Sequence, residues 1–453
     1  MNEVLWDKII QFNLDHLSGE YSFSIRLANE NGWTADFTEK AILEYKKFMY
    51  LAVISDDMVS PSAIIDVVWH QHLIFSQSYQ DFCSLLGKVI QHIPSTHHKT
   101  EFGQFKRAAE LTRQLYIGNF GEQPESIWQN DTMLGSLNLK PAKITAGFFA
   151  LYGLLAFVLL IVPFYYLLKP IYIHIDNPYF ILGLLGLILS AYVILHLYTK
   201  NRFKQLAGSF GKESFIYHLQ PFELIYLKSG KLDDIINGTI SELMHDGVIR
   251  IGADQRVCIS GKTDQLFGEQ LQVITVLKDR GNIFYRELLH LLRAKSIFTI
   301  TARSIDQLKG YLNQSKPFVK VFYLNFTVFV TLIMFPLIRL ITGISRGKPV
   351  VEIAILLGLL VVFTINHLYK LNQQFFGLTI PDLYANTILP AIKDDPNWRW
   401  DYFLYGSTVL SASLIPFVNN VERNRSGDAG GGASSCGSSC GSSCGSCGGC
   451  GGD

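Results

Sequence analysis

The residues best suited to chemistry lie in one short stretch, Asp66-Val67-Val68-Trp69-His70-Gln71-His72-Leu73, with His92 further along the chain. Asp66 and His70 stand four positions apart, so on a helix they share one face and can converge on a single ion. His72 is two residues beyond His70 and points about 200° around the same helix, which takes it out of that set. His92, with His97 and His98 close behind, can supply a third ligand from the following loop. Two imidazoles and a carboxylate suit zinc or a similar divalent ion. A plainer arrangement fits the same residues: Asp66 accepts a hydrogen bond from a core histidine while Trp69 packs inward. The spacing leaves both open.

A second group of candidate ligands closes the chain. Cys436, Cys440, Cys444, Cys447 and Cys450 are set in glycine and serine, and the last three are spaced as C-x-x-C-x-x-C. Thiolates at that spacing can wrap a soft ion, zinc or copper(I). A segment of this composition buries no core, so a flexible tail with incidental thiols is the competing expectation. Elsewhere only Cys83 and Cys258 occur, and no disulfide framework is expected.

These residues need elements to hold them, and the strongest elements are apolar. Four stretches, 144–168, 179–198, 321–342 and 350–369, reach the roughly 20 apolar residues that cross about 30 Å of hydrocarbon. Apolar residues make up 49% of the chain and charged ones 17%, below the roughly 25% charge of an average soluble domain. The expected fold class is therefore mainly α: a polytopic membrane protein with about four transmembrane helices in two hairpins, 142–200 and 319–370. Lys140, Lys143, Lys200, Arg202, Lys204, Lys316, Lys320 and Lys370 flank the helices on one side; Lys169, Arg346 and Lys348 occupy the two short loops. The positive-inside rule then places the N-terminus and the polar domains in the cytoplasm, with a bacterial inner membrane as the expected location. The early acids Glu3 and Asp7 and the absence of an early apolar run argue against a cleaved signal. No acidic residue falls mid-span, so the helices read as an anchor rather than a transport path.

The N-terminal domain, 1–135, reads as helical. Ile42, Tyr45 and Met49 recur at helical spacing, 62–86 continues that pattern after Pro61, and a further helix covers about 103–118. The pattern D-x-x-W-H-x-H, followed by Tyr79, Cys83, Gly87 and His92, resembles the glycine-rich domain-containing protein family over about 36–128. The resemblance implies a shared helical domain and brings no established reaction with it.

The central segment, 201–318, begins with two helices around 221–229 and 232–245, then two short strands, 248–251 and 257–260. Helix, helix, hairpin is the layout of a winged-helix domain. A recognition helix needs basic or amide side chains to meet phosphates and base edges. This one carries Asp233, Asp234 and Glu242 and no Lys or Arg, and net charge is only +1. Nucleic acid is therefore not the expected partner; the lipid bilayer and protein partners at the cytoplasmic face are. From about residue 142 to the end, the order of hairpin, Pro221-Phe222-Glu223-Leu224-Ile225-Tyr226-Leu227 segment, second hairpin and Gly/Cys end resembles a family of uncharacterised bacterial membrane proteins. Region 371–425 includes a moderately apolar stretch, 402–418, too short for a sure span and suited to the interface or to packing on the domain. Residues 426–453 form the tail.

No G-x-S-x-G, Walker loop, dinucleotide fingerprint or H-E-x-x-H occurs. The sequence points to a membrane-anchored cytoplasmic binding or assembly module rather than to an enzyme. A metal-handling role through the histidines and the cysteine tail is one alternative. An enzymatic site around Asp66, Trp69 and His70 is the other.

Overall fold

In the computed structural model, residues 2–15, 22–92, 102–264, 266–391 and 397–428 are described. His97, His98 and all five tail cysteines lie outside them. The chain is mainly helical, with one small sheet.

The N-terminal part comprises α1 (Glu3–Gln11), α2 (Phe23–Asn31), α3 (Ala35–Ile54), α4 (Ala63–Ile74), α5 (Ser76–Leu86), α6 (Phe102–Phe120) and α7 (Glu125–Trp128). Sequence periodicity suggests one helix over 62–86; the structure breaks it at Phe75, whose ψ of 62° leaves the helical region. Helix α3 is the centre of this part and buries Phe37, Ala41, Tyr45, Phe48 and Met49. It also buries Glu44, whose carboxylate accepts hydrogen bonds from the Tyr116 hydroxyl at 2.8 Å, the Trp128 indole at 2.7 Å and the Lys47 ammonium at 2.7 Å. Three donors satisfy a charge that would otherwise be costly to bury, and they tie α6 and α7 to α3.

Two long apolar helices follow, α8 (Ala146–Ile173) and α9 (Asn177–Ser209). The central part has α10 (Pro221–Ser229), α11 (Leu232–His245), β1 (Ile249–Ile251), β2 (Arg256–Ile259), α12 (Gly268–Arg280), β3 (Ile283–Phe284), α13 (Tyr285–Arg293) and α14 (Ser296–Gln314). The strands form an antiparallel sheet in the order β1-β2-β3, with Arg250 opposite Cys258 and Val257 opposite Ile283. Two more apolar helices, α15 (Lys316–Ser345) and α16 (Val351–Gln374), lead through the short α17 (Ile380–Leu383) to α18 (Trp398–Tyr405) and α19 (Ile415–Asp428).

Among the described residues, four helices are long and apolar enough to cross a membrane: α8, α9, α15 and α16 with its continuation to Ala391. None of the residues in the most apolar stretch of α8 is buried. Leu159 is 77% exposed and Leu182 67%. So much contiguous apolar surface is far beyond what a soluble monomer tolerates and suits contact with lipid tails. Helix α15 is the hub of the four, lying against α8, α9 and α16. Its Arg339 donates to the carbonyls of Tyr172 and, at 2.7 Å, of Ile175, filling acceptors left open at the end of α8.

The polar parts share one continuous core, running from Ile9 and Phe37 through Phe215, Ile236 and Leu289 to Leu414. The stretch 402–418 joins it: Tyr402, Phe403, Leu410 and Leu414 are buried there, and the Tyr402 hydroxyl donates to the Asp234 carbonyl at 2.9 Å. It packs on the central domain and forms no span.

Candidate metal centre

Helix α4 positions the first two candidate ligands. Ser62 caps it, its Oγ accepting the Ile65 N–H at 3.3 Å, and Asp66 falls in the first turn, where the helix dipole favours an anion. Ile64, Ile65, Val68, Trp69 and His72 face inward, which turns Asp66 and His70 toward the surface. His72 is fully buried, with Nδ1 2.8 Å from the Tyr45 hydroxyl and Nε2 3.1 Å from Ser78 Oγ. Of the two histidines in the W-H-x-H stretch, one belongs to the core and the other to the surface.

His92 arrives from the loop after α5. Helix α5 ends at Gly87, whose φ of 71° a side chain would strain. The loop is then tied down twice. Lys88 donates to the carbonyls of Ala52 at 3.1 Å and Ser55 at 3.0 Å. The Trp69 indole donates to the Tyr79 hydroxyl at 3.1 Å, and that hydroxyl donates onward to the Ile90 carbonyl. Desolvation pushes the Tyr79 hydroxyl well above its ordinary range, so it remains a donor at any physiological pH.

These restraints lay the His92 ring against Trp69, with centroids 4.7 Å apart, and against His70, 4.3 Å apart. His92 Nε2 lies 2.9 Å from Asp66 Oδ1, and His70 Nδ1 lies 3.2 Å from Asp66 Oδ2. One donor atom from each of Asp66, His70 and His92 falls within 4.8 Å of the other two. Donors around a tetrahedral zinc ion sit about 3.4 Å apart at bond lengths near 2.1 Å. Small outward movements of the side chains would open that space, and exposed His70 is free to make them. His70 Nδ1 also lies 2.8 Å from the Asp66 main-chain carbonyl; a bound ion would compete with that contact. Three protein ligands would leave a fourth position for water.

Sequence reasoning did not single out Tyr79 as the group fastening the loop that carries His92. It also passed over Glu223, which is 4% exposed at the junction of α3 and α10. No periodicity signals such a carboxylate, because its partners come from distant parts of the chain. Comparison with protein-family models, with curated proteins and with solved structures finds no match for this chain.

Proposed function

We propose that this protein is a membrane-anchored binding module whose N-terminal helical domain holds a divalent transition-metal ion, zinc foremost, through Asp66, His70 and His92. The carrying observation is the convergence of three donor atoms from two separate elements, held by the Trp69–Tyr79–Ile90 chain of hydrogen bonds. These bonds fix the loop that carries His92 and so its approach to Asp66 and His70.

The anchor is formed by α8, α9, α15 and α16. The antiparallel bridge between Pro141 and Ser315, flanked by the Ala142 N–H to Gln314 carbonyl bond at 2.9 Å, supports entry of both hairpins from one side. With the lysine distribution, that side is the cytoplasm in our reading, and the membrane a bacterial inner membrane.

The winged-helix-like reading of the central segment belongs to the same proposal, with α11 as a packing helix. Two of its acids serve internal pairs: Asp233 with Arg293 at 2.7 Å and Glu242 with Arg399 at 2.9 Å. Ile235, Ile236, Ile240 and Leu243 bury its other faces. That arrangement supports a packing role over nucleic-acid reading for this helix.

The test is metal analysis of the full-length protein purified in detergent and equilibrated with zinc. One bound ion per chain beyond any held by the cysteine tail, lost in His70→Ala and His92→Ala, is expected. A wild-type protein that takes up no more zinc than the double variant would overturn the proposal.

A further inference from the structure

A cavity of about 680 Å³ opens where the apolar runs of α9 and α16 end and the central domain begins. Its walls come from Tyr192 and His196 near the end of the apolar run of α9, the last turns of α16, the C-terminal end of α10 and the face of α14. Lys228, Lys309 and Lys370 line it, and among the described residues no aspartate or glutamate does. Tyr192 and Tyr369 are also in its wall, amphipathic rings of the kind enriched toward the ends of membrane spans.

The charges here are poorly matched from within. Lys309 lies over the Tyr226 ring, 4.9 Å from its centroid, and reaches the Tyr226 carbonyl only at 3.5 Å. Asp306 acts on Lys309 but already accepts a hydrogen bond from the Tyr226 hydroxyl at 2.9 Å. Lys228 faces the Phe403 ring at 5.9 Å. Burial pushes the Lys309 ammonium below its ordinary range, a cost that an anion would relieve. Asn313 contributes a different feature: its Oδ1 is buried without a hydrogen-bond partner and can accept from a hydroxyl.

We propose that this cavity binds a phosphate-bearing anion, and that its place at the membrane boundary assigns it to the headgroup of an anionic phospholipid. Three ammonium groups would meet the phosphate, Asn313 would take a headgroup hydroxyl, and the acyl chains would leave along the exposed flanks of α9 and α16. Basic pockets between membrane helices are suited to such headgroups, each nearby lysine adding to the attraction. The inference rests on the membrane reading above and is independent of the metal centre.

The full-length protein in detergent is titrated with phosphatidylglycerol, phosphatidylcholine or inorganic phosphate, and bound species are counted by native mass spectrometry. Phosphatidylglycerol should bind once, at least about tenfold more tightly than phosphatidylcholine. The triple variant Lys228→Gln, Lys309→Gln, Lys370→Gln should lose that preference. The corresponding triple arginine variant should keep it, which separates lost charge from lost folding. Equal binding of the two lipids, or an unchanged glutamine variant, overturns the proposal. Inorganic phosphate that displaces the lipid at millimolar concentration, with the same lysine dependence, would make this a free-phosphate site and overturn the lipid assignment. A failed membrane reading shows itself separately, as wild-type protein left in the supernatant after high-speed centrifugation without detergent.

Discussion

Glu223 accepts the main-chain N–H of Ala35 at 2.9 Å, joining residues 188 positions apart in the sequence. Ala35 is the first residue of α3. The other carboxylate oxygen of Glu223 accepts the Gln220 N–H at 2.7 Å, at the start of its own helix α10. One side chain thus caps two helices and fastens the N-terminal part to the central part. Burial, with Asp36 and Glu269 nearby, raises its pKa from 4.5 to about 7 despite the two N–H donors.

The sign of the pH effect follows. Between pH 4.5 and about 7 the unfolded chain releases this proton while the folded chain keeps it. Over that window the Glu223 contribution to stability falls as pH rises, and above it the loss levels off at about 3 kcal/mol. Glu223→Gln gives up an acceptor, costing about 1 kcal/mol, but carries no ionisation. Wild type, about 1 kcal/mol ahead of Glu223→Gln at low pH, should therefore lose that lead as pH rises and fall behind the variant by about 2 kcal/mol at pH 8. Thermal unfolding of both proteins in the same detergent across that range measures it; a constant difference would contradict the assignment.

At the metal centre, His70 and His72 should behave in opposite ways. His70→Ala removes an exposed ligand: zinc affinity should fall at least about tenfold with less than about 0.5 kcal/mol lost from the fold. His72→Ala removes a fully buried ring and strands the Tyr45 hydroxyl. It should cost about 2–4 kcal/mol. Zinc titration and denaturant unfolding of each variant separate the two roles.

Tyr79→Phe probes the support of the site without touching a ligand. The variant keeps the ring but loses the hydroxyl that links Trp69 to the Ile90 carbonyl. Stability should drop by about 1–2 kcal/mol. Zinc affinity should drop about tenfold or more, because the loop carrying His92 is no longer fixed. Unchanged affinity would mean that the ligand geometry does not depend on this loop.

The four long apolar helices were the most legible part of the sequence, since runs of apolar residues this long have few alternatives. Their ends were less so. Helix α9 continues to Ser209, and the helix begun at Val351 runs on to Ala391, because polar turns can extend a helix after the apolar signal stops. The helical periodicity around Trp69 correctly set His72 apart from Asp66 and His70. It could not show that Tyr79 and Gly87 steer His92 onto the same patch, which depends on how a loop folds back over α4. Glu44 and Glu223 were unreadable for a related reason: a carboxylate is buried only where remote donors happen to meet it. Asn325 and His367, inside the apolar windows, were overlooked because a search for mid-span acids passes over neutral polar groups.

That last pair carries the final prediction. Asn325 is fully buried in α15; its Nδ2 donates to Thr199 Oγ1 on α9 at 3.1 Å, and its Oδ1 lies 2.9 Å from His367 Nε2 on α16. Three helices are thereby joined by side chains, with Asn325 and Thr199 wholly out of solvent contact. Hydrogen bonds between membrane helices contribute about 0.6–2 kcal/mol each. Asn325→Leu should lower stability by about 1–3 kcal/mol, because it also leaves His367 and Thr199 without that partner. His367→Leu should cost less, since Asn325 keeps Thr199 and the Val321 carbonyl at 2.9 Å. The double variant should cost clearly less than the sum of the two, as removing both partners leaves fewer stranded polar groups than removing one. Additive losses in a heat-unfolding cycle of the four proteins would show that the two side chains are neighbours without being coupled.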